Sequence, residues 1–86
     1  MKNATKMTNR TRTFANLFTM VESFAVTHFD EHATLSVWCA NGAGGWSAVV
    51  AKGGGEIIAV AHRCETRDEA VMAVYGKMFS FVNGGK

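Results

Sequence analysis

Residues 33–62 run ATLSVWCA (33–40), NGAGG (41–45), WSAVVAK (46–52), GGG (53–55) and EIIAVAH (56–62), and this stretch decides the fold. From Ala33 to Ala40 the side chains alternate with period two. Leu35, Val37 and Cys39 fall on one side, and Thr34, Ser36 and Trp38 on the other, the pattern of a strand with two distinct faces. Asn41-Gly42-Ala43-Gly44-Gly45 is a turn signal because Asn and Gly tolerate positive φ. Trp46 to Lys52 is then the return strand, Gly53-Gly54-Gly55 a second turn, and Glu56 to His62 a third strand. Connections this short join antiparallel neighbours.

The flanks have a different period. Phe14, Leu17, Phe18, Val21, Phe24, Ala25 and Phe29 form an i, i+3, i+4, i+7 stripe, which predicts a helix with Thr11 or Thr13 as N-cap. After the third strand, Thr66-Arg67-Asp68-Glu69 predicts a capping box. The Thr66 hydroxyl takes the Glu69 amide, and the Glu69 carboxylate reaches back to the Thr66 amide. Val71, Val74, Tyr75, Met78 and Val82 are the buried stripe expected of that second helix, closed by Asn83-Gly84-Gly85. Gly76 inside it costs about 1 kcal/mol against Ala and predicts a close approach to the sheet. The expected fold is α+β: a three-stranded antiparallel sheet flanked by an N-terminal and a C-terminal helix, in the order αβββα.

At 86 residues the chain makes one domain with a thin core, too small for a deep enclosed cleft. We divide it into a flexible basic arm (residues 1–11) and a single α+β domain (residues 12–86). Lys2, Lys6, Arg10 and Arg12 carry four positive charges with no acid among them. The remainder holds five basic residues, Lys52, Arg63, Arg67, Lys77 and Lys86, against seven acidic ones, so the body is mildly acidic. No apolar run follows the basic residues where a signal peptide needs one, and no apolar stretch is long enough to span a membrane. Two cysteines without a dense cysteine framework fit a cytoplasmic location with free thiols.

Few residues offer chemistry. His28, His32, Cys39, His62 and Cys64 are the candidate metal ligands, and His28 and His32 have i, i+4 spacing. That pair straddles the expected helix end, and no Cys-x-x-Cys is present, so no metal and no cofactor is expected. Cys64, beside Arg63 and near His62, is the candidate reactive thiol, whereas Cys39 alternates with Leu35 and Val37 as a small core residue. The glycine runs lead from strand to strand. A phosphate cradle leads from strand into helix, so these are turns. No catalytic residue is expected, and the chain is not expected to be an enzyme.

The sheet carries the functional expectation. Leu35, Val37, Ile58 and Val60 are assigned to the face that packs on the helices, and Trp38 to the opposite one. A four-residue loop (Gly42 to Gly45) pairs Asn41 with Trp46, turning Trp46 inward and Val49 and Ala51 outward. A five-residue loop would put both tryptophans outside. The former gives the more apolar inner face and is preferred. Ile57, Ala59 and Ala61 join the outer face in either case. An outer face of this composition is too apolar for open water, so either one of the chain's own helices covers it or another protein does, and an exposed Trp is a common interface anchor. Ser36, Trp38, Val49 and Ile57 are the expected protein-binding residues, used for a partner, a homodimer or both. The alternative is nucleic-acid binding by Lys2, Lys6, Arg10 and Arg12, which gives salt-sensitive attraction without base readout.

In element order the chain resembles double-stranded-RNA-binding domains, although Arg67-Asp68-Glu69 brings two acids where that family opens its second helix with lysines. Residues Ala33 to Val82, with Thr66-x-x-Glu69-Ala70, resemble the strand–hairpin–strand–helix module of HicB-type antitoxins, without that family's aromatic and proline landmarks. As a whole the architecture resembles the small phage-encoded inhibitors of bacterial defence, anti-CRISPR proteins among them. That resemblance implies a non-enzymatic protein masking a surface of a host nucleoprotein defence complex.

Overall fold

The computed structural model describes residues 9–40 and 44–84. The chain runs α1 (Asn9–His28), β1 (Thr34–Ala40), β2 (Gly45–Ala51), β3 (Ile57–Cys64) and α2 (Arg67–Phe79), ending in a π-helical turn, Ser80–Gly84. The fold is αβββα, an α+β domain. Of the expected arm, residues 1–8 lie outside the described residues, and α1 begins at Asn9, ahead of both Thr11 and Thr13.

The three strands form one antiparallel sheet in the order β1-β2-β3, so β2 is central. Leu35 pairs with Val50, Val37 with Ala48, and Cys39 with Trp46. Trp46 therefore has the inward phase expected of it, with Val49 and Ala51 on the other face. The loop keeps the four residues expected of it but starts one residue earlier, because Ala40 pairs with Gly45, and Trp46 faces Cys39 in place of Asn41.

Both helices pack on one side of the sheet. Val21 and Ala25 of α1 and Ala70, Val71, Val74 and Met78 of α2 join Leu35, Ala48, Val50, Ala59 and Ala61 in one core. The helices run in the same direction. The Arg67 guanidinium sits 4.1 Å from the Phe14 ring at one end, and Phe24 meets Tyr75 (5.2 Å between centroids) and Phe79 (6.3 Å) at the other.

The third strand reverses its expected phase. Ala59 and Ala61 pair with Val50 and Ala48 and are buried under α2, whereas Val60 pairs with Val49 on the opposite face. Apolarity ranks Ile and Val above Ala for the interior, but the seam under α2 is built from Ala48, Ala59, Ala61 and Ala70, which let helix and sheet approach closely. A register irregularity between Val50 and Ala51 gives β3 one extra residue there. Ile57 thus pairs with Ala51 on the outer face, and Ile58 still packs partly against the core. A second irregularity lies between Trp46 and Ala48, beside Arg63, whose φ is +61°.

The caps follow the expected plan with one change of partner. Thr66 Oγ1 accepts the Glu69 amide at 3.0 Å, but the Glu69 carboxylate accepts the amide of Glu65 (2.9 Å), not that of Thr66. Two expectations for α2 fail. Gly76 is exposed, and a Cβ there would meet nothing within 4 Å, because the glycine faces away from the buried stripe of Ala70, Val71, Val74 and Met78. Val82 is exposed as well, since the α-helix ends at Phe79 and the wider π turn takes Val82 out of phase with that stripe.

At the other end of the sheet, Asp30 joins two connections. Its carboxylate accepts the amides of Gly53 (2.6 Å) and His32 (3.3 Å), tying the α1–β1 turn to the β2–β3 turn. Gly53 is needed for this approach, because a Cβ there would come within 2.6 Å of the His32 Cβ.

Candidate functional site

The site is the face of the sheet opposite the helices. Along β1 it presents Thr34, Ser36 and Trp38; along β2, Ser47, Val49 and Ala51; along β3, Ile57, Val60 and His62. Direct cross-strand pairs fix most of this arrangement: Ser36 with Val49, Trp38 with Ser47, Val49 with Val60 and Ala51 with Ile57. The expected binding residues Ser36, Trp38, Val49 and Ile57 thus share one face. Trp38 is 43% and Ile57 60% exposed. Among the described residues, no helix lies on this side.

Polar groups lie beside the tryptophan. Ser47 is 4% exposed, and its Oγ is 3.2 Å from Nδ1 of His62 across the β2–β3 pair. Trp38 is the residue paired with Ser47 on the other side of β2. The hydrogen bond satisfies the Ser47 hydroxyl, so no buried polar side-chain atom among the described residues lacks a partner. Among the described residues no carboxylate bonds to the His62 ring to orient it, and the pair forms part of a surface, not of a cleft.

Val60, Ser47 and His62 complete the face and were missed from sequence. Apolarity assigned Val60 to the interior, and His62 was weighed only as a metal or thiol partner. The available signal was the alanine pair Ala59 and Ala61, which marks a strand that a helix approaches closely.

The other candidates disperse. The imidazole of His62 turns to Ser47, while Cys64 is buried on the inner side beside its pair partner Trp46. Among the described residues, the Cys64 thiol takes the His62 backbone carbonyl, at 3.7 Å, as its hydrogen-bond acceptor. Cys39 is exposed, not the core residue its alternation implied, because the inner face thins toward the hairpin. His28 ends α1 with its ring 4.4 Å from that of Phe24, and His32 lies 3.4 Å from the Glu31 carboxylate in solvent. Among the described residues no three His, Cys, Asp or Glu side chains converge on a common point. Of the alternative nucleic-acid set, Lys2 and Lys6 lie outside the described residues, and Arg10 and Arg12 fall in the first turns of α1.

Two further features lie elsewhere. An open cleft of about 530 Å³ is lined by Trp46, Thr66, Arg67 and Asp68 at the start of α2. The Thr66 hydroxyl already takes one amide at that helix end, and the Asp68 carboxylate lies 3.8 Å from the Arg67 guanidinium and offsets its charge. The C-terminal end of α2 and the turn after it expose Phe79, Phe81 and Val82. No described helix is long and apolar enough to cross a membrane. Comparison with protein-family models, with curated proteins and with solved structures gave no match in any of the three.

Proposed function

We propose that the chain is a non-enzymatic binding module that masks a surface of a protein partner with the open face of its sheet. The reading rests on one observation: both helices pack on the same side, leaving Trp38, Val49, Val60 and Ile57 together without cover from any described element. Val49, Val60 and Ile57 stand here while their strand neighbours Ala48, Ala59 and Ala61 take buried positions, a local choice that water alone does not favour. Trp38 is the anchor, with Ser36 and His62 supplying polar contacts around it. The partner class follows from the architectural resemblance to phage-encoded inhibitors: a host nucleoprotein defence complex met in the cytoplasm, with the chain acting as an anti-CRISPR-like inhibitor. The acidic body favours a basic, nucleic-acid-handling surface on that partner.

The test is inhibition of a purified CRISPR effector complex binding its DNA target. The chain is expected to block binding, and Trp38→Ala to weaken the block about 30-fold, the equivalent of about 2 kcal/mol, with unchanged circular dichroism. Equal inhibition by the two proteins, or none by either, would overturn the reading.

A further inference from the structure

The two edges of the sheet are treated differently. β3 has register irregularities at both ends, carries His62 and Arg63, and has its outward-facing Val60 carbonyl taken by Lys77 Nζ from α2 at 2.6 Å. Bulges, charge and a covering side chain are the devices that stop an edge strand from pairing with another chain. β1 has almost none of them. Its seven residues pair with β2 in unbroken register, and the strand, TLSVWCA, holds no charged residue. Among the described residues its one protection is Glu22 of α1, whose carboxylate accepts the Leu35 amide at 3.0 Å.

That bond also fixes which groups are free. In an antiparallel ladder alternate residues turn their N–H and C=O away from the partner strand. Leu35 does so, and therefore Val37 and Cys39 do too. Among the described residues, nothing takes the amides of these two.

We infer that β1 is a self-pairing edge, and that two copies of the chain join β1 to β1 antiparallel in a six-stranded sheet. The register follows from the free groups. Setting Val37 opposite Cys39 of the second copy uses all four free amides and their carbonyls and spares Leu35, whose amide belongs to Glu22. Setting Val37 opposite its own counterpart would instead require the Leu35 amide. The chosen register places the two Trp38 residues opposite each other at the two-fold axis, in a non-hydrogen-bonded pair where side chains approach most closely. The strand has no charge to repel its copy. Because the β3 edge is blocked, the assembly closes at two subunits and cannot extend into a fibre. The inference goes beyond the masking role: pairing consumes the edge and doubles the open face.

The experiment combines light scattering with amide hydrogen exchange on the whole chain. Twice the mass of one chain is expected at high concentration, with the Val37 and Cys39 amides protected there and exchanging faster on dilution. Cys39→Pro removes an edge amide that β2 does not use, at a position where an edge strand tolerates proline. It should give the mass of one chain with an unchanged circular dichroism spectrum. If the variant does not fold, the exchange data decide alone. A single-chain mass at millimolar concentration, concentration-independent exchange at both amides, or a folded Cys39→Pro dimer would each overturn the inference. Because Cys39→Pro leaves Trp38 on the face, inhibition by that variant reads the masking role separately: wild type that inhibits as a single chain would sink the pairing alone, and wild type that pairs without inhibiting would sink the masking role alone.

Discussion

The carboxylate of Asp30 accepts the backbone amide of Gly53, twenty-three residues away, at 2.6 Å, and so holds the end of α1 to the β2–β3 turn. The charged carboxylate is the better acceptor. The Gly53 amide first, and then the His32 amide, lower the Asp30 pKa below its ordinary value. A group whose pKa is depressed by folding stabilises the fold above its unfolded pKa, and that contribution is lost as pH falls through the folded value. Wild type should therefore lose thermal stability as pH drops below about 4, and Asp30→Asn should show a flatter profile there. Melting curves from neutral to strongly acidic pH check this, and equal acid slopes would refute it.

Ala59 and Val60 are adjacent in sequence but face opposite sides of the sheet, which gives a paired test of the observed phase. Ala59→Leu forces three extra carbon atoms under α2 and should cost about 1–3 kcal/mol. Val60→Ala removes atoms from the open face and should cost less than about 1 kcal/mol, since no cavity is left in the core. Denaturant unfolding measures both. The opposite ranking would restore the phase expected from apolarity.

Gly76 lies in a helix interior with open space where its Cβ would stand. Gly76→Ala should stabilise the protein by about 0.5–1 kcal/mol, through lower chain entropy in the unfolded state and better helix propensity. A rise of several degrees in melting temperature is the expected reading. A fall would mean that the glycine serves a contact.

The fold was legible because its signals are local. Period two in Thr34–Ala40, glycine turns, and a Thr-x-x-Glu box at Thr66 each specify an element without reference to the rest of the chain. The face carrying Ser36, Trp38 and Val49 was legible too, because parity within one hairpin fixes it even though the register lay two residues away. What was not legible depends on distance between elements. How near α2 approaches β3 decides whether Ala59 or Val60 is buried, and no residue states that distance alone. Nor does any residue announce the extra residue near Ile57, which keeps that side chain outside while Ala59 turns in.

The alanine seam separates two alphabets on the same strands. Positions 35, 37, 48, 50, 59 and 61 answer to the helices, and positions 36, 38, 47, 49 and 60 answer to whatever meets the open face. The first set is confined by size: Ala48, Ala59 and Ala61 can scarcely be trimmed and have no room to grow. The second set is free of that restraint. A lineage carrying this fold could exchange its whole outward vocabulary while the inward one stood still. On the proposed masking role, target choice would then drift quickly over a scaffold whose three buried strand alanines stay nearly fixed.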